Sequence, residues 1–154
     1  MNGIRLGLMV GLAGIAALAC VGFSDGASPA GLSCPNCPLL PVERVIDGDT
    51  FMSEGVGIRL YGVNTPERGE QCFTEATDRL RELAEGGVRV EPGPRAEDYW
   101  GRRLAYVYTE EGASVDEALI REGLAWAWTR DGQHRDALIA LEGEAQRQGV
   151  GCLW

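Results

Sequence analysis

The order of short strand-like runs constrains this chain most: three runs, one helix, two more runs, then two helices. Val42–Asp47 and Thr50–Ser53 read as strands flanking Gly48, and Val56–Val63 as a third, alternating strand broken by Asn64-Thr65-Pro66. Phe73, Ala76, Leu80 and Leu83 then recur at helical spacing up to Gly86-Gly87. Val88–Glu91 and Arg103–Thr109 are two further strands, the second alternating Leu104, Tyr106 and Tyr108. Ser114, with Glu117 three residues on, is a capping box that opens a helix through Leu124. A last helix near His134–Gln148 places His134, Leu138, Leu141 and Ala145 on one stripe. The pattern predicts an α+β fold, a small five-stranded closed barrel whose three helices cap its ends and complete the core.

The 154 residues suit one domain, and 45% hydrophobic content predicts a packed core. Three regions are expected: an export segment over 1–19, a Gly-, Ser- and Pro-rich linker over 20–41, and the folded domain over 42–154. Leu6 to Phe23 is an uncharged apolar run behind Arg5. Ala17-Leu18-Ala19-Cys20 fits a signal-peptidase site, or an imperfect lipobox that would acylate Cys20. An uncleaved membrane anchor is the third reading, so the product is expected to be secreted or held at the outer face of the membrane. Setting Cys20 aside leaves four cysteines, an even number that reads as two disulfides in an exported protein. Cys34-Pro35-Asn36-Cys37 could be a redox pair or half a zinc site, but the sole histidine is His134 and the setting is a linker. A structural or incidental pair is the preferred reading.

The net charge is −9, and all 14 cationic side chains are Arg. Such a surface cannot bind nucleic acid by blanketing phosphates with positive charge, although two or three Arg placed at one phosphate remain compatible with it. A lone His argues against His-based acid–base chemistry, and no nucleophile elbow, phosphate-binding Gly-rich loop or dinucleotide fingerprint occurs. Acidic and guanidinium groups instead gather at predicted strand ends in three clusters. These are Val45-Ile46-Asp47-Gly48-Asp49-Thr50, Arg59 through Glu67 (Arg-Leu-Tyr-Gly-Val-Asn-Thr-Pro-Glu), and Asp98 through Tyr106 (Asp-Tyr-Trp-Gly-Arg-Arg-Leu-Ala-Tyr). Each alone reads as an ordinary turn or edge.

In this order they resemble the staphylococcal nuclease (thermonuclease)-like domain family, a likeness running from about Glu43 to Trp154. Val115-Asp116-Glu117-Ala118-Leu119, Arg121-Glu122-Gly123-Leu124-Ala125 and the closing Leu153-Trp154 extend it. The resemblance implies an OB-fold barrel, bound Ca2+, and hydrolysis of phosphodiesters in DNA and RNA, by a monomer with no protein partner. Asp49 and Asn64 would ligate calcium with the Thr65 carbonyl, a hard-oxygen set. Glu67 would orient or deprotonate the attacking water, and Arg59 and Arg102 would grip the phosphate. Asn64 stands where the reference nuclease has Asp, which removes a charge from the metal site. Trp126 and Trp128 fall near its base-stacking tyrosines, with core packing as the alternative fate. The family's fold also returns the chain end to the barrel, which makes a Cys72–Cys152 bridge plausible once Cys34 and Cys37 pair. Two competing readings are a non-catalytic OB-fold module that binds nucleic acid or protein, and an exported thiol-redox protein built on Cys34 and Cys37.

Overall fold

The computed structural model describes residues 31–154, so the apolar run and Cys20 lie outside the described residues. Eight strands and three helices follow in chain order: β1 (Leu39–Leu40), β2 (Arg44–Asp47), β3 (Thr50–Ser53), β4 (Val56–Leu60), β5 (Val63–Asn64), α1 (Phe73–Leu83), β6 (Val88–Glu97), β7 (Arg103–Thr109), α2 (Val115–Arg121), β8 (Trp126–Ala127) and α3 (Arg135–Gln148). Six strands form one curled sheet in the order β1-β6-β7-β4-β3-β2, and β5 pairs with β8 apart from it. All pairings in the large sheet are antiparallel except β4 with β7, whose register sets Arg59 opposite Leu104.

The core lies where the sheet curls around the inner faces of the helices. Phe51, Leu60, Val88, Leu119, Ile120 and Leu138 are fully buried there, each contributing roughly 2 kcal/mol by leaving water. The expected stripe of α3 is observed, with Leu138, Leu141 and Ala145 buried. His134 is its N-cap residue, and its ring turns to Glu91, 2.9 Å from Nε2 to Oε2. Ser114 caps α2 as its sequence predicts, its Oγ accepting from the Glu117 N–H at 3.1 Å.

The α+β barrel-like architecture with three helices is as expected, and the strand count is larger than five. The expected third strand divides into β4 and β5 at a bend over Tyr61 and Gly62, where the Tyr61 N–H still donates to the Ala105 carbonyl of β7 at 2.8 Å. The Gly62 N–H goes to the Asp116 carboxylate, and a Cβ on Gly62 would sit 2.5 Å from Leu138 and 2.7 Å from Asp116. β6 continues past Glu91 to Glu97, and α2 stops at Arg121. Gly123 follows at φ +64, packed so closely on Val150 that no side chain fits. The Pro-rich stretch before Val42 is partly docked: Leu39 and Leu40 pair with β6, and Ser33 bridges Ala113. Both expected disulfides are present, Cys34–Cys37 and Cys72–Cys152.

Asp116 ties this architecture together from a fully buried position. Its two carboxylate oxygens accept the N–H of Gly62 at 2.9 Å and of Val107 at 3.1 Å, joining the β4–β5 turn and β7 to α2. Burial raises its pKa from 3.8 to about 6, while those backbone N–H groups pull the other way. With the folded pKa raised, the charge costs stability progressively as pH climbs from about 4 through about 6. Asp116→Ala removes the charge but strands two buried donors. It is expected to lower unfolding stability by about 3 kcal/mol at pH 7, read from the urea midpoint. An unchanged midpoint would show that the clasp is dispensable.

Candidate active site

A cleft of about 670 Å³ opens over β3, β4 and the β6–β7 connection, and five of the six sequence-predicted site residues line it: Asp49, Arg59, Asn64, Glu67 and Arg102. Thr65, the sixth, stands buried behind Asp49, and its N–H donates to Asp49 Oδ2 at 3.0 Å.

Asp49 is set by its turn. Its own N–H donates to the Asp47 carboxylate at 3.1 Å, the Thr50 hydroxyl donates to its Oδ1 at 3.0 Å, and Arg59 Nη2 lies 3.2 Å from its Oδ2. Gly48 is obligatory in this turn, since a Cβ there would lie 2.7 Å from both Ala76 and the Thr65 hydroxyl. Burial, and then the neighbouring charge of Asp49, push the Asp47 carboxyl above the usual range.

The two arginines differ in what they leave free. Arg59 Nη1 donates to the carbonyls of Leu60 at 2.6 Å and Val63 at 3.0 Å, and Nη2 donates to Asp49 and to Asn64 Oδ1. Two acceptors engage each of its terminal nitrogens, so among the described residues Nε is its uncommitted donor. Arg102 lays its stem over Gly57, with Cγ 3.4 Å from where a Cβ would stand. It gives Nε to Asp98 Oδ2 at 2.6 Å and Nη1 to Thr50 Oγ1 at 3.2 Å. Among the described residues its Nη2 meets no acceptor, which leaves Arg102 the more open fork.

Asp98 went unrecognised in the sequence, though its spacing to Arg102 is an i,i+4 acid–base pair. Burial raises its pKa, and the hydrogen bonds from Arg102 outweigh that, so the carboxyl sits below its ordinary range. Two more arginines on the cleft were also missed. Arg95 stacks over Tyr61 at 5.3 Å and pairs with Asp131 at 2.8 Å, while Arg130 stacks over Trp128 at 5.2 Å. Neither follows a spacing rule, because Arg95 stands on the outer part of β6 and Arg130 in the loop before α3, and only the fold brings both to the cleft. Of the two tryptophans, Trp128 lines this cleft, its indole N–H bonded to Asp131 at 2.7 Å, and Trp126 does not line it.

The donor set suits a hard cation. The Asp49 carboxylate and the Asn64 amide oxygen both receive the Arg59 guanidinium, so the two converge on a single positive charge, and oxygens of these kinds are what a hard cation takes. No group of three His, Cys, Asp or Glu side chains converges as a metal site among the described residues.

The sequence signature described as "Staphylococcal nuclease homologue" matches residues 57–154. The chain belongs to the staphylococcal nuclease family. It is 36% identical over 141 residues to a thermonuclease of Staphylococcus hyicus, covering 82% of each chain. It is 32% identical over 118 residues to an uncharacterized endonuclease of Escherichia coli O157:H7, covering 73% of this chain and 74% of that one. A micrococcal nuclease of Shigella flexneri is 30% identical over 126 residues, at 73% and 71% coverage. This staphylococcal nuclease homologue is therefore an enzyme, a phosphodiesterase acting on nucleic acid, and its mixed barrel is the family's OB-type fold.

Proposed function

We propose that this is an exported, calcium-dependent nuclease that cleaves both DNA and RNA. The observation that carries the reading is the convergence of Asp49, Arg59, Asn64, Glu67 and Arg102 on one cleft. In this reading Asp49, Asn64 and the Thr65 carbonyl hold the ion. What calcium supplies when bound is positive charge beside the phosphate oxygens. Glu67 is exposed at the cleft edge, where its carboxylate can orient a water and take its proton. The free Nη2 of Arg102 and the Nε of Arg59 meet the charge that gathers on phosphate as the bond breaks. Asp98 is a positioning residue, since it fixes the Arg102 plane through Nε.

Export is supported by the apolar leader and by two disulfides, which persist in oxidising compartments. We assign 1–19 to the export segment, with cleavage, acylation of Cys20 or anchoring as alternative fates. The nuclease domain is assigned to 42–154.

Plasmid DNA and total RNA incubated with the protein, with calcium and then with chelator, test the proposal. Degradation of both that needs calcium is the expected result. Binding without cleavage under either condition would instead indicate a non-catalytic OB-fold module.

Asn64 gives a second test. Asn64→Asp keeps the acceptor for Arg59 and adds a charge, so calcium should bind about tenfold tighter, on the order of 1.4 kcal/mol. Calorimetric titration decides the matter. Unchanged or weaker binding would remove Asn64 from the ligand set.

A further inference from the structure

We propose that Tyr99 and Trp100 form a stacking surface for unpaired nucleotide bases beside Arg102, a specificity device that rests on the nuclease reading above. Both line the cleft, and they are the most exposed large apolar side chains among the described residues, at 93% and 75%. Exposure on this scale contributes nothing to the core, and adjacent exposed aromatics mark a contact surface.

They are held out deliberately by their turn. Asp98 Oδ1 accepts the N–H of Trp100 and of Arg102, each at 2.9 Å, and the Gly101 N–H returns to the Asp98 carbonyl at 3.2 Å. Gly101 takes φ +76 to close the turn. The rings meet edge to face, with centroids 5.9 Å apart and planes at 88°. The pair therefore costs little to order when a ligand arrives. Its chemistry defines that ligand. Arg102 Cζ lies 5.3 Å from the Trp100 ring centroid, so one partner must bring a flat apolar face and a negative charge together. A base with its phosphate does so, whereas an apolar protein surface would meet Arg95 and Arg130 across the cleft. Net charge also argues for stacking. A chain at −9 with no Lys gains little from long-range attraction to phosphates, and base stacking is insensitive to that deficit. Bases within a duplex have no free faces, so the surface favours single strands.

The test uses full-length Glu67→Gln protein, so that binding is read without cleavage. Fluorescence anisotropy compares an oligothymidylate with an abasic oligonucleotide of equal length and phosphate number. The base-bearing strand should bind about tenfold tighter. Adding Tyr99→Ala and Trp100→Ala should abolish that preference while leaving abasic affinity in place, and Tyr99→Phe with Trp100→Phe should retain it. Equal binding of the two strands before the Ala changes would overturn the proposal. So would an equal loss on both strands afterwards, which would mean that the aromatics act only through Arg102. A dimer in sedimentation that the Ala pair abolishes would overturn it in favour of a second copy as the occupant. Failure to bind either strand overturns it too, and the plasmid assay reports separately on the nuclease reading.

Discussion

Glu67→Gln and Arg102→Ala are each expected to cut turnover on DNA by on the order of a hundredfold or more, with the fold intact. Glu67 is exposed, and among the described residues its side chain makes no hydrogen bond, so the amide variant should melt like the parent. Its loss should fall on kcat, because in the proposed role the carboxylate acts on water rather than on bound substrate. Arg102 carries the more open guanidinium, so its removal should outweigh a change at Arg59 in phosphate contact. Arg102→Lys sharpens the point. It restores charge but not the fork that satisfies Asp98, Thr50 and a phosphate together, and it should stay well below the parent rate. Folded variants that cut at the parent rate would show that the chemistry lies elsewhere.

Replacing Cys72 and Cys152 together by Ser should cost about 4 kcal/mol of stability, the chain-entropy value for a crosslink of this span. The two cysteines lie 80 residues apart, with Cα atoms at 5.9 Å. For a domain of this size that corresponds to a drop of roughly 10–20 °C in melting temperature. The bridge links the start of α1 to the tail beyond α3, and Gln71 adds a hydrogen bond at 2.7 Å to the Cys152 carbonyl. Calorimetry with and without reductant gives the measurement. Reductant should lower the parent's melting temperature far more than that of the Ser pair, which keeps only the short Cys34–Cys37 loop. A double variant as stable as the parent would show that the tail is held by packing alone.

Much of this is legible in the sequence alone, for reasons that differ by element. The α3 stripe and the Ser114 cap follow from local periodicity and a three-residue spacing, so they emerged as read. The division of β4 from β5 depends on Asp116, 54 residues beyond Gly62, and no local pattern announces it. β1 hides among prolines because two residues of pairing leave almost no signature. Asp49, Arg59, Asn64, Glu67 and Arg102 were found through ordered motifs, and they do share a cleft. Asp98 was overlooked although it sat inside one of those motifs, since an anchoring acid looks like any turn acid. Arg95 and Arg130 required the tertiary fold itself.

The parallel pairing of β4 with β7 bears on folding kinetics. With β1–β6 it is one of two non-local pairings in the sheet, joining residues 58–60 to 103–105, and such contacts form late because a long loop must first close. The meander β2–β4 can assemble early and would carry Asp49 and Arg59, yet Arg102 reaches Thr50 only once β7 has docked. A partly folded chain would therefore hold half of the proposed phosphate grip. In a refolding experiment, regained cleavage should track the slowest structural phase and never lead it.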